Sequence, residues 1–304
     1  MKLVLGGIAA AALVVALSAA AAPKPVTIAG CPIFPASNPW NQRVDTLPVA
    51  ANSAQLIASI GLDCPVHADF GSGLYDGQQI GIPYVVLHGN KIPKSRVAFD
   101  YADESDKGPY PIPRNVPIEG EPHPDDGDRH ALIVDRDTCK LYELYALHRT
   151  STGWAAGSGA IWSLRSNKLR PAGWTSADAA GLPILPGLAR WADAATGSIN
   201  HALRFTVERT RKAYIYPARH YASSSTDPSL PPMGLRVRLK ASFDISKFPP
   251  QARIVLTALK RYGMILADNG SNWFISGAPS SHWSNDQLHT LGQVTGADFE
   301  IVKS

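Results

Sequence analysis

The chain lacks most of the short signatures that announce a chemistry. It has no Gly-x-Ser-x-Gly elbow, no His-Glu-x-x-His, no Walker loop and no Gly-x-Gly-x-x-Gly after a strand. That removes the usual marks of a serine esterase, a zinc protease and a nucleotide-binding enzyme. Cys-x-x-Cys is also missing, and Cys64 with His67 is a lone pair, so no four-ligand metal set is built from cysteine. Charge is sparse, at 18% of residues, and the basic residues nowhere gather into runs. The mild formal charge of +4 without a basic cluster argues against a nucleic-acid partner. No second apolar run approaches the one at Leu3–Leu17.

That one run is informative. Lys2 precedes it and the small residues Ser18–Ala22 follow, which reads as a secretory signal over residues 1–22 with cleavage near Ala21 or Ala22. It is shorter than the ~20 residues a membrane span needs. The mature chain, about 280 residues long, is therefore expected to be secreted or periplasmic and to have no membrane partner after cleavage. Disulfides persist in such compartments. Three cysteines leave one unpaired. Cys31 with Cys139 is the favoured bridge, because Cys31 lies in an extended arm that needs tying down and Cys139 in the tight turn DRDTCK. Cys31 with Cys64 is the runner-up.

Residues 23–304 read as a single β-rich domain with an extended N-terminal arm over 23–45. Pro32, Pro35 and Pro39 keep CPIFPASNPWNQ out of a helix, and Trp40 is placed to anchor it. Residues 47–60 and 249–262 carry helical apolar stripes, and 283–294 a shorter one. Residues 127–137 and 140–147 form the clearest hairpin. Further strands are predicted over 81–89, 153–164, 198–207, 213–222, 233–243 and 299–303. The Asn269-Gly270 turn predicts a hairpin over 264–277. The proline-dense Lys107–Gly120 segment reads as an irregular surface loop. Together these predict a mainly β fold: a β-sandwich or jelly-roll-like body with a few short peripheral helices and long Pro-rich loops.

Several stretches, among them CPIFPASNPWN, GDRHALIVDRDTCKLYELY, LRPAGWTSADAAGLPILPGL, PPMGLRVRLKASFDIS and ADNGSNWFISGAP, resemble those of an uncharacterised family of exported bacterial proteins. The resemblance covers nearly all of the mature chain. It brings no catalytic assignments, so function is read from the residues.

The candidate catalytic groups are acids and a histidine near strand ends. Asp128 and His130 stand two apart before a strand, where extended backbone would aim both the same way. A turn cap and a rim histidine are the plain alternative. Asp178 lies in Leu169–Ile184, a stretch too punctuated by Gly and Pro for one helix. Asp178 reads either as an acid at a site or as the first-turn acid of a short helix capped by Thr175 or Ser176. Asp268 precedes the Asn-Gly turn. Glycoside cleavage needs two carboxyls across the scissile bond, and Asp178 or Asp128 with Asp268 would supply them. Trp174 and Trp273 are candidate stacking platforms.

Arg236, Arg238 and Lys240 alternate onto one strand face, with Arg204 and His220 on neighbouring segments. A cationic sheet face of this kind suits an anionic glycan. It also suits β-elimination with His220, Tyr216 or Tyr221 as base. Cross-strand ion pairs are the plain alternative. Asp103, Glu104 and Asp106 would allow a structural calcium ion, though a solvated acidic turn explains them equally; no other cofactor is implied. The sequence thus points to an exported polysaccharide-active enzyme of glycoside hydrolase type. A lyase acting on a uronate-containing glycan and a non-catalytic carbohydrate- or cell-wall-binding protein are the alternatives.

Overall fold

A computed structural model describes residues 26–122 and 127–303, so the expected signal at 1–22 lies outside the described residues. The larger of two principal sheets has six strands, in the order Phe299–Ile301, Arg236–Leu239, Met264–Asn269, Leu203–Val207, Phe274–Ser276, His67–Asp69. The smaller has four: Ser158–Ser163, Lys140–Tyr145, Ala131–Asp135, Tyr84–Leu87. Short helices, Ser53–Ile60 and Pro250–Arg261 the longest, pack around them. The fold is mainly β, as predicted. Both sheets contain parallel neighbours, such as Met264–Asn269 beside Leu203–Val207 and Tyr84–Leu87 beside Ala131–Asp135. This separates them from the all-antiparallel ladders of a double Greek-key jelly roll.

Alternation along Ala131–Asp135 explains the layering. Leu132 and Val134 join Leu141 in the main core, together with Leu203, Phe205 and Ile265 of the large sheet. Ala131 and Ile133 point the other way, into a second cluster with Leu144, Tyr110, Ile112 and Val116. The last three come from the Pro-rich loop, which therefore roofs the small sheet rather than idling on the surface. A strand covered on both faces needs an unbroken apolar run, and ALIV supplies it. Each such Leu or Ile contributes about 1.5–3 kcal/mol by leaving water.

Three predicted elements differ. The 153–164 strand divides at Gly157 into Gly153–Ala156, in a separate ribbon, and Ser158–Ser163. A Cβ at Gly157 would meet the Tyr145 ring at 2.6 Å, so the close approach requires glycine. Met264–Asn269 and Phe274–Ser276 do not pair as a hairpin; they flank Leu203–Val207 on opposite edges. The Asn269-Gly270 turn carries the chain across the end of that strand. Residues 213–222 make only an isolated bridge, Tyr214 with Met233.

The basic strand is the main correction. Arg236 and Arg238 are buried, not aligned on an open face. Arg236 donates to the carbonyls of Tyr262, Pro39 and Gln42. Arg238 donates to the carbonyls of Val44 and Leu47 and pairs with Glu300 at 2.8 Å. All four residues of their strand are buried, so both faces are covered, and the long side chains satisfy backbone carbonyls of residues 39–47 and of Tyr262 instead. Neither is positioned to bind a substrate. Trp40 seats the arm in the main core, as predicted.

Cys31 and Cys139 are bonded, with Cα atoms 5.4 Å apart, and Cys64 is free. The bond spans 108 residues of chain. Closing so long a loop limits the unfolded ensemble and contributes about 4–5 kcal/mol. A Cys31→Ser, Cys139→Ser double variant is expected to lose that much in urea unfolding. Wild type measured with reductant should then coincide with it; a shift below 1 kcal/mol in both would refute the estimate.

Candidate active site

Leu169–Ile184 runs between the two sheets, and the side chains around it form a polar cluster. No helix follows Thr175, so the capped-helix reading of Asp178 does not hold. The segment is instead held by other elements. The His130 ring donates from Nε2 to the Ala177 carbonyl at 2.9 Å. Ser158 Oγ donates to the Ser176 carbonyl, and Ser176 Oγ donates to that of Leu182. At its far end Glu143, fully buried, accepts from the amides of Ile184 and Leu185 and from the Trp162 indole.

This framework fixes a buried charge set. The Arg204 guanidinium donates from Nε and Nη2 to the two oxygens of Asp178, both at 2.8 Å. Its Nη2 also reaches Asp268 at 3.1 Å, and Nη1 donates to Ser276 at 2.6 Å. Burial opposes the charge on Arg204, but Asp178 outweighs it, so the group stays a cation. The Asp178 side chain has no exposed surface, whereas a fifth of that of Asp268 remains exposed. Burial, then the Asp178 charge beside it, push Asp268 up to about 7 against the pull of Arg204. Like charges this close do not both ionise readily, which adds to burial in favouring the protonated form of Asp268.

Asp268 opens into a cleft of about 460 Å³, whose walls include Asp128, Tyr145, Ser158, Tyr101, Glu104, His220 and Tyr221. Asp128, Asp178 and Asp268 thus meet at one cleft, and His220 with them. Asp128 is exposed, and its carbonyl accepts from the Ala146 amide at 2.9 Å, which ties it to the hairpin. Tyr145 sits where burial, then Asp128, Tyr101 and Asp268, raise its phenol, so it remains a hydrogen-bond donor. His220 donates from Nδ1 to the Ala179 carbonyl at 2.8 Å and stacks on Tyr221 at 5.6 Å.

Other candidates fall elsewhere. Asp128 and His130 do not point the same way, because Arg129 between them adopts φ 51° and breaks the extended alternation. His130 is buried against Glu119, with Nδ1 2.5 Å from the carboxylate. Both ring nitrogens serve as donors, so His130 positions the loop rather than abstracting a proton. Trp273 is fully buried, stacked between Phe205 and Phe299, with its indole N–H donated to Gly61. It is core, not a platform. Trp174 is half-buried beside the cleft, under the Arg170 guanidinium at 5.4 Å. Tyr216 is exposed on a separate surface near Arg236. The acidic turn is answered by protein donors: Arg170 pairs with Asp106 at 2.7 Å, and the Thr175 amide donates to Glu104 at 2.8 Å. Among the described residues no group of three or more His, Cys, Asp or Glu side chains is arranged to hold a metal ion.

Sequence reasoning missed Glu119, Tyr145 and Tyr101. Glu119 is disguised by its proline-dense loop, and only its spatial partner His130 reveals it. Burial works against the charge on His130, yet Glu119 pushes it up to about 9, and the same pairing lowers Glu119. Folded His130 therefore binds its proton more tightly than in the unfolded chain, whose histidines titrate near 6.5. That stabilisation is complete below about pH 6.5 and lost as pH rises through about 9. It amounts to roughly 3 kcal/mol. Urea midpoints for wild type should fall between pH 7 and pH 9.5 and stay nearly flat in His130→Gln; parallel slopes would exclude the pair as the cause.

No family model, curated protein or solved structure matches the chain.

Proposed function

We propose that the chain is a carbohydrate hydrolase that cleaves glycosidic bonds of an uncharged polysaccharide. The observation that carries the reading is Asp268: a carboxyl raised to about 7, partly exposed, opening on a cleft that also presents Asp128. A carboxyl that keeps its proton near neutrality is what a leaving-group oxygen needs from a general acid. Asp128 supplies the second carboxyl, acting on water or on the sugar carbon. Arg204 and Asp178 are positioning residues: they hold Asp268 and shape its proton affinity without meeting the substrate. The Tyr145 phenol and His220 offer hydrogen bonds to sugar hydroxyls.

The cleft charge bears on the substrate. Glu104, Asp128 and Asp268 line it, while Arg204 is already bonded to Asp178 and Asp268. Glu104 and Asp128 repel a uronate, and Arg204 is not free to neutralise one, which disfavours the lyase reading. The test is a screen of neutral and anionic polysaccharides, reading released reducing ends and the absorbance of unsaturated uronates separately. Reducing ends from neutral polymers are expected. Uronate absorbance would replace this reading with a lyase, and binding without product would replace it with a carbohydrate-binding protein.

A further inference from the structure

A second cleft, of about 650 Å³, adjoins the first, and Asp128 lines both. Both volumes fall in the range of small-molecule sites. One wall of the second comes from a minimal hairpin in which Leu74–Tyr75 pairs with Gln78–Gln79. Asp76 and Gly77 make the turn with φ 49° and 80°, the left-handed pair a two-residue hairpin needs. The hairpin's base is fixed. Asn285 accepts from the Ser72 amide at 2.9 Å and donates to its carbonyl at 3.0 Å. Its tip is not packed: Tyr75 is 79% exposed, although it lines the cleft. An exposed aromatic ring with no stacking or hydrogen-bond partner among the described residues, next to the amides of Gln78 and Gln79 on a hairpin held at its base, has the chemistry of a sugar platform. The ring covers the apolar face of a pyranose or furanose, and the amides meet its hydroxyls.

We infer that this second cleft is a sugar-binding subsite with Tyr75 as its stacking platform, so that the protein grips an uncharged glycan on both sides of Asp128 and cuts within the chain. The inference rests on the hydrolase reading above and adds the mode of attack and a specificity residue.

The experiment compares wild type, Tyr75→Ala and Tyr75→Trp on cello-, xylo-, manno- and chito-oligosaccharides from dimers to octamers, reading kcat/KM at each length. On the series that wild type cleaves, Tyr75→Ala should lose about ten-fold on hexamers and longer chains and change little on dimers. Tyr75→Trp should retain the preference for long chains. Thermal midpoints should match wild type, because the ring is solvent-exposed. Equal loss at every length, or none, would overturn the subsite while leaving the hydrolase reading standing. No cleavage of any series, or of their parent polymers, by wild type would remove both.

Discussion

Replacing Asp268 with Asn should leave the fold intact and lower hydrolysis by about 10²–10⁴-fold, the usual contribution of a positioned proton donor. The amide keeps the size of the side chain but has one acceptor oxygen, so it can accept from Arg204 or from the Asn269 amide and not from both. The change therefore removes the acidic proton and one accepted hydrogen bond. A second signature separates catalysis from structure. Asp268 is raised to about 7, so the wild-type rate should fall as pH climbs through 7 and the donor ionises. That descending limb should vanish in Asp268→Asn, whatever residual rate it has. Stability moves oppositely to a structural role. Ionising Asp268 in the folded state is harder than in the unfolded chain, so above its unfolded value near 4 it weakens the fold as pH rises through 7. The Asn variant should be as stable as wild type at pH 8, or more so. Full activity in Asp268→Asn, or an unchanged limb, would move the acid to another residue.

The second large effect is on the fold. Arg204→Met should cost about 3–5 kcal/mol, because it leaves Asp178 buried without its cation. Against a total stability of roughly 5–15 kcal/mol that is a severe loss. The variant should unfold at much lower urea, if it accumulates at all. The informative companion is Arg204→Met with Asp178→Leu. Removing both charges and filling the space with apolar atoms should recover most of the stability. It should not recover activity, since Asp268 loses the two groups that hold it. If the double variant is as unstable as the single, the damage comes from the Ser276 contact or from packing, not from a stranded carboxylate.

Which parts of this were legible in the chain follows from what local patterns encode. Pro250–Arg261 and the pair Ala131–Asp135 with Lys140–Tyr145 appear almost where periodicity and the turn put them. The disulfide was legible because an arm and a rigid turn are natural partners. Arg236 and Arg238 were misread for a definite reason. Strand alternation separates two faces but does not say that either meets water, and here both are covered. The supposed 264–277 hairpin failed because an Asn-Gly turn fixes a reversal, not the identity of the neighbour. Asp128, Asp178 and Asp268 were visible as candidates, but their meeting depends on two sheets closing on one loop. Leu169–Ile184 carries little regular structure of its own, and its shape comes from His130, Ser158 and Glu143. Tyr75 had no signal, since an exposed ring on a hairpin looks like any other until a cleft is seen beside it.

The placement of Leu203–Val207 between Met264–Asn269 and Phe274–Ser276 has a kinetic consequence. Until residue 264 has left the ribosome that strand has no partner on either side, and until residue 274 has followed it has at most one. The sheet's two edges, His67–Asp69 and Phe299–Ile301, come from opposite ends of the chain, so its last ladder waits for almost the whole polypeptide. Such long-range pairing folds slowly. A nascent chain stopped before residue 264 would expose an apolar strand, LRFTV, with open ladders and a tendency to aggregate.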